Sequence, residues 1–194
     1  MPRSTFVPPG ALRRFARAEE GATAVEFGFI ALPLILMLCA ILELAMVFIV
    51  STTIENATEF ASRKIRTGEF QLGGATAKTD FKKLVCNNTS WLKTTCDSKL
   101  TVDVETFASY ADAAKSDPAN PVGFNPAITP TCWSPGSAGD IVLVRTYYQW
   151  NLFTPLLDRS LVNMGSSSNQ RLITFTTGFR NEPFNDDAPV GAKC

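Results

Sequence analysis

Two carboxylates interrupt the most apolar stretch of this chain. Residues 19–50 read EEGATAVEFGFIALPLILMLCAILELAMVFIV, with Glu26 five residues past Gly21 and Glu43 inside the run. A charged side chain held in hydrocarbon costs about 2.5 to 3.5 kcal/mol on insertion scales, so each acid needs a proton, a partner or an interface. Glu26 stands at the entrance, where headgroups would solvate it. Glu43 follows 17 residues later, about 25 Å along a helix. There it is protonated, meets a partner subunit or platform protein, or snorkels to the outer headgroups.

Elsewhere the residue types argue against catalysis. The 194 residues contain no histidine, which removes the commonest general base and the commonest metal ligand. Ser-His and Cys-His nucleophiles are thereby excluded. A Ser-Lys pair is available only in the short match SWLK, Ser90 to Lys93, beside two cysteines. Asp103 and Glu105 share one face of an alternating stretch and read as a solvated edge; Asp186 and Asp187 read as a solvated tail. No enzyme and no cofactor is expected. Lys plus Arg and Asp plus Glu are both 18, and this zero net charge gives no electrostatic footprint for nucleic acid.

Cys39 lies in the apolar run and reads as a small buried hydrophobe. The other four cysteines, Cys86, Cys96, Cys132 and Cys194, all lie downstream and permit three pairings. The favoured set joins Cys86 to Cys96 across a small loop, and Cys132 to Cys194, tying a proline-rich loop to the last residue. A zinc site would want a C-x-x-C unit, which is missing, so no metal is expected.

These residues must be positioned by a membrane helix and an exported domain. Residues 27–50 are 24 positions whose one charge is Glu43, about 36 Å as a helix and enough to span with some tilt. The run is too long for a secretory signal, and no small-x-small exit follows it. Arg3, Arg13, Arg14 and Arg17 precede it, while Arg63, Lys64 and Arg66 follow, a slight positive-inside bias. The downstream cysteines favour an oxidising compartment for the C-terminal part. The expected arrangement is a single pass of the inner membrane of a bacterium, N-terminus cytoplasmic and C-terminal domain periplasmic.

Beyond the bilayer the helix should continue. Ile54, Ala57, Ala61 and Ile65 form a narrow apolar stripe, and Gly68 offers a C-terminal stop. Pro33 sits early in the span and invites a kink. TDFKKLVCNNTSWL, residues 79–92, suggests a short helix with Phe81, Leu84 and Val85 apolar, capped by Thr79 or Asp80. KLTVDVETFASYA alternates as a strand, residues 117–140 hold five prolines and read as a loop, and DIVLVRTYYQWNLF is the clearest strand. In that strand Val142, Val144, Thr146, Tyr148 and Trp150 share a face. RLITFTTGFR supplies a third strand. The expected fold is α+β: a long N-terminal transmembrane helix protruding into the periplasm, packed on a small antiparallel sheet. The divisions are 1–21 as a leader, 22–68 as the helix and 69–194 as the periplasmic domain. The aromatics Trp133, Tyr147, Tyr148 and Trp150 read as packing rather than a sugar platform.

With the helix in place, GATAVEF resembles the N-terminus of type IV pilins and pseudopilins. Most closely, GATAVEFGFIALPLILMLCAILELAMVF is similar to the TadE-type pseudopilins of the Tad (tight adherence, Flp) pilus. Gly21, Glu26, Phe27, Leu32, Pro33 and Glu43 carry the likeness, and GDIVLVRTYYQW and GFRNEPF extend it more loosely. The resemblance implies a pilin-like fold and a prepilin peptidase that cuts between Gly21 and Ala22. It also implies that Glu26 of one subunit pairs with the new Ala22 amine of its neighbour, setting axial register. Glu19 and Glu20 depart from a purely basic leader. Partners implied are the peptidase, other pilins and pseudopilins, the inner-membrane assembly platform and membrane lipid. The function implied is a minor pilin that primes or joins the fibre, with extrusion into a surface pilus. The competing class is a permanently anchored periplasmic binding or scaffold module that never enters it.

Overall fold

The computed structural model describes residues 20–72, 77–154, 158–165 and 169–184. Helix α1, Glu20–Arg66, runs for 47 residues and continues through Pro33. Its first part is rich in Ala and Leu, strong helix formers. It ends where the next residue but one, Gly68, takes φ +77°, a left-handed conformation that favours glycine. The Thr67 N–H donates to Arg63 O at 2.9 Å as the last turn closes.

The chain divides into two compact units, residues 1–42 and 43–194. Among the described residues of the first, the apolar side chains are exposed almost throughout; Phe27 is 73% exposed. In the second, the C-terminal part of α1 lies on a sheet. Val50, Ile54, Ala57, Ala61 and Ile65 are buried in one core with Val102, Val104, Val142, Val144 and Tyr148. The expected stripe is therefore the packing face, and it begins one turn earlier, at Val50. Thr58 and Thr146 hydroxyls bond to each other at 3.0 Å inside this contact.

The sheet is three antiparallel strands in the order β1 (Leu100–Phe107), β2 (Ile141–Asn151) and β3 (Gln170–Arg180). Val102 faces Thr146, and Thr146 faces Phe175, so one face runs across all three strands. Short helices α2 (Glu69–Leu72), α3 (Lys78–Asn87) and α4 (Lys93–Lys99) precede β1. Helix α5 (Tyr110–Ala113) follows β1, and α6 (Asp158–Leu161) lies between β2 and β3. Cys86 and Cys96 form a disulfide between α3 and α4, with Cα atoms 5.5 Å apart. Cys132 is also disulfide-bonded; Cys194 lies outside the described residues.

Two expectations are corrected. Helix α3 starts at Lys78 with Ala77 in the capping position and no side-chain cap bond, so neither Thr79 nor Asp80 caps it. Asp103 is not on a solvated edge. It is 5% exposed, because the segment from Ser116 to Cys132 covers the second face of the sheet. There Phe124, Tyr147 and Leu172 make a small second core. Alternation marks two faces but does not say how many are covered.

Candidate functional site

The residues singled out in α1 fall into two environments. Gly21, Glu26, Phe27 and Pro33 are all exposed in the first unit. A Cβ added at Gly21 would meet nothing within 4 Å. Ala22 lies on the same helix one residue on. Glu26 and Pro33 are seven residues apart, two turns, and so lie on one side of the helix. From Gly21 to Leu42 the single chain thus presents an apolar helix surface whose one carboxylate is Glu26.

Glu43 is different. It is 3% exposed, and its Oε2 accepts three bonds: from the Phe153 N–H at 2.9 Å, the Thr154 N–H at 3.0 Å and the Thr154 hydroxyl at 3.1 Å. Two backbone donors and a hydroxyl on one oxygen replace the water a carboxylate loses on burial. Oε1 has no partner among the described residues. None of the environments considered for Glu43 from sequence was a loop of its own chain. That contact spans 110 residues, and nothing local announces it.

The second face of the sheet holds the other buried charges. Arg145 stands opposite Asp103 in the ladder. Its NH1 lies 3.5 Å from Asp103 Oδ2 and 3.9 Å from Glu105 Oε2, and its NH2 donates to Ser116 O at 2.5 Å. Asp103 Oδ1 accepts the Cys132 N–H at 2.6 Å. The clasp pins both ends of the covering loop to the strands, and the Tyr147 hydroxyl accepts the Ala119 N–H at 3.0 Å between them. Strand parity could have flagged Asp103 and Arg145 as sharing this face. A cavity of about 690 Å³ opens beside them, lined by Glu105, Asp117, Phe124 and Ile128 among others. Lys78 reaches the loop by donating to the Thr131 hydroxyl. Burial pulls the Lys78 ammonium below the usual lysine range, with Asp103 opposing the shift. The clasp is structural: its charged groups are spent on one another and on backbone. No three-residue group of potential metal ligands occurs among the described residues.

That apolar helix surface and its carboxylate are what a family comparison can decide. The helix is TadE-like: the family model described as TadE-like protein matches residues 21–63. The match starts at Gly21, includes Glu26, Pro33 and Glu43, and stops within α1. It makes this helix similar to the N-terminal helix of that family over 43 of the 194 residues. No curated protein and no solved structure matches the chain. Among the described residues one helix, Thr23–Arg66, is long and apolar enough to cross a membrane.

Proposed function

We propose that the chain is a minor pilin, or pseudopilin, of a Tad pilus. It is held in the bacterial inner membrane by the first part of α1, with the sheet domain in the periplasm. A prepilin peptidase removes residues 1–21 and leaves Ala22 with a free amine. Glu26 of one subunit then pairs with the Ala22 ammonium of the next. In a low-dielectric setting a misregistered neighbour would leave a carboxylate unpaired, so the pair selects one axial offset. Phe27 and Pro33 lie on the surface that neighbouring helices and the assembly platform would cover. The chain does no chemistry of its own in this reading.

One observation carries the reading: the family match begins at Gly21 and covers a helix whose first part, up to Leu42, leaves nearly all its apolar side chains exposed in the single chain. Such a helix needs lipid before assembly and other helices afterwards. The test is N-terminal sequencing of the native protein from cells with an active prepilin peptidase. Ala22 as first residue is expected. An intact N-terminus ahead of Gly21 in those cells overturns the pilin reading and favours a permanently anchored periplasmic module.

A further inference from the structure

The loop held by Glu43 carries exposed aromatics, and its place along α1 says what they meet. Phe153 is 67% exposed and packs edge-on against Trp150 with ring centres 5.6 Å apart. Trp150 in turn meets Trp91 at 6.2 Å, and Trp91 is 48% exposed. Ser90, directly before Trp91, has φ 50°, a left-handed conformation costly for a residue with a Cβ. On α1 itself Phe48 is 68% exposed, whereas Val50, two residues on, is fully buried. Phe153 and Trp91, linked through Trp150, therefore leave an apolar patch open on the domain that begins at Glu43, and Phe48 is a further exposed ring on it.

Length identifies the occupant. The apolar run continues to Val50, but Val50 belongs to the domain core and Met46 and Val47 pack against it. The unit boundary falls between Leu42 and Glu43. Residues 23–42 are 20 positions, about 30 Å of helix, the thickness of one hydrocarbon core. A span counted from Thr23, where the membrane-capable helix starts, is used up at Glu43, seven residues before the apolar run ends. Trp and other aromatics concentrate at that level of a membrane, where a ring sits among headgroups.

We propose that Trp91 and Phe153, braced from behind by the buried Trp150, form a collar that rests in the outer headgroup layer of the bilayer, with Glu43 marking the outer edge of hydrocarbon. Glu43 then faces no lipid, because Phe153 and Thr154 cap it from the same loop. The collar fixes the height of the sheet domain above the membrane, and leaving the bilayer requires withdrawing it. This rests on the membrane-span part of the reading above and not on processing, so the uncut chain serves for the test.

The full chain is reconstituted into vesicles of phosphatidylethanolamine and phosphatidylglycerol. A fraction of the lipid carries a doxyl quencher either near the headgroup or near the chain end. Tryptophan emission is compared for the wild type and Trp91→Phe, an exposed site whose change leaves the core intact. The shallow quencher should act about twofold more strongly than the deep one on the wild type, and Trp91→Phe should lose most of that difference. If the chain floats with the vesicles but neither quencher acts, the collar is wrong and the span stands. If emission instead follows protein density and ignores the quenchers, the surface is covered by a second copy and the collar is wrong. A chain that does not float defeats the span and the collar together.

Discussion

Glu43 Oε2 accepts the Phe153 N–H at 2.9 Å, which ties the first residue of the folded domain to the end of its central strand. Because Thr154 donates twice more to the same oxygen, the carboxylate works as a small backbone cradle. Glu43→Leu removes the acceptor and leaves those donors without one, at about 1 to 3 kcal/mol for each that stays buried. Amide exchange at Phe153 and Thr154 should quicken in the full chain in detergent, while exchange in β2 itself stays slow. Unchanged exchange at both amides would show that the cradle does not hold the loop.

Arg145 and Asp103 form the most deeply buried ion pair in the described residues, both side chains under 10% exposed. Removing one member leaves the other as an uncompensated buried charge, which costs about 3 to 5 kcal/mol. Arg145→Met should lower stability by that amount in denaturant titrations. The double variant Arg145→Met with Asp103→Asn should recover part of it, since the stranded charge is gone. Additive losses in the two single variants would mean that the pair does not interact as the geometry states.

Sequence reading reached the helix, its buried stripe and all three strands because each rests on a periodic pattern. Ile54, Ala57, Ala61 and Ile65 repeat at helical spacing, and Val142 to Trp150 alternate. The likeness that the match to residues 21–63 bears out was legible for another reason: Gly21, Glu26 and Phe27, which suggested it, lie close together in sequence. What stayed hidden was set by contacts distant in sequence. The loop over the second sheet face has no periodicity, so nothing showed that it would bury Asp103 against Arg145. The Glu43 cradle uses backbone N–H groups, which every non-proline residue has, and no side-chain pattern encodes their use.

Thr58 and Thr146 join α1 to the central strand through a buried 3.0 Å hydroxyl bond. Thr58→Val strands one hydroxyl, and so does Thr146→Val; each should cost about 1 to 3 kcal/mol. Both changes together replace the pair with two methyl-bearing side chains of similar shape, and the double variant should approach wild-type stability. A double-mutant cycle reads the coupling directly.

Gly68 closes α1 at φ +77°, and an added Cβ would lie 2.5 Å from the Phe184 ring. Gly68→Ala therefore meets both a backbone and a steric cost, together about 1 to 3 kcal/mol. The segment displaced is the one that straps the helix end, where the Glu182 N–H donates to Arg66 O at 2.9 Å. Faster exchange of the Glu182 amide, with a lower denaturation midpoint, is the expected result.

Tyr147 and Tyr148 sit side by side on opposite faces of the central strand, both almost fully buried. Burial pushes both phenols above the usual tyrosine value of 10.0, against the opposing hydrogen bonds from Ala119 and Thr95. The folded state thus keeps these protons where the unfolded chain gives them up. By linkage, their contribution to stability is fully present below about pH 10 and is lost as pH rises through the raised folded values. Lys78, pulled downward by burial, has the opposite sign: its cost is present below the lowered value and fades as pH rises towards 10.5. Above that value the Lys78 contribution is largely spent while that of the two tyrosines is still being lost, so the midpoint of denaturation should fall with further alkali. Tyr148→Phe should flatten that fall. Tyrosinate absorbance from Tyr147 and Tyr148 should grow together with the loss of helical circular dichroism; a full tyrosinate signal from an intact fold would contradict their burial.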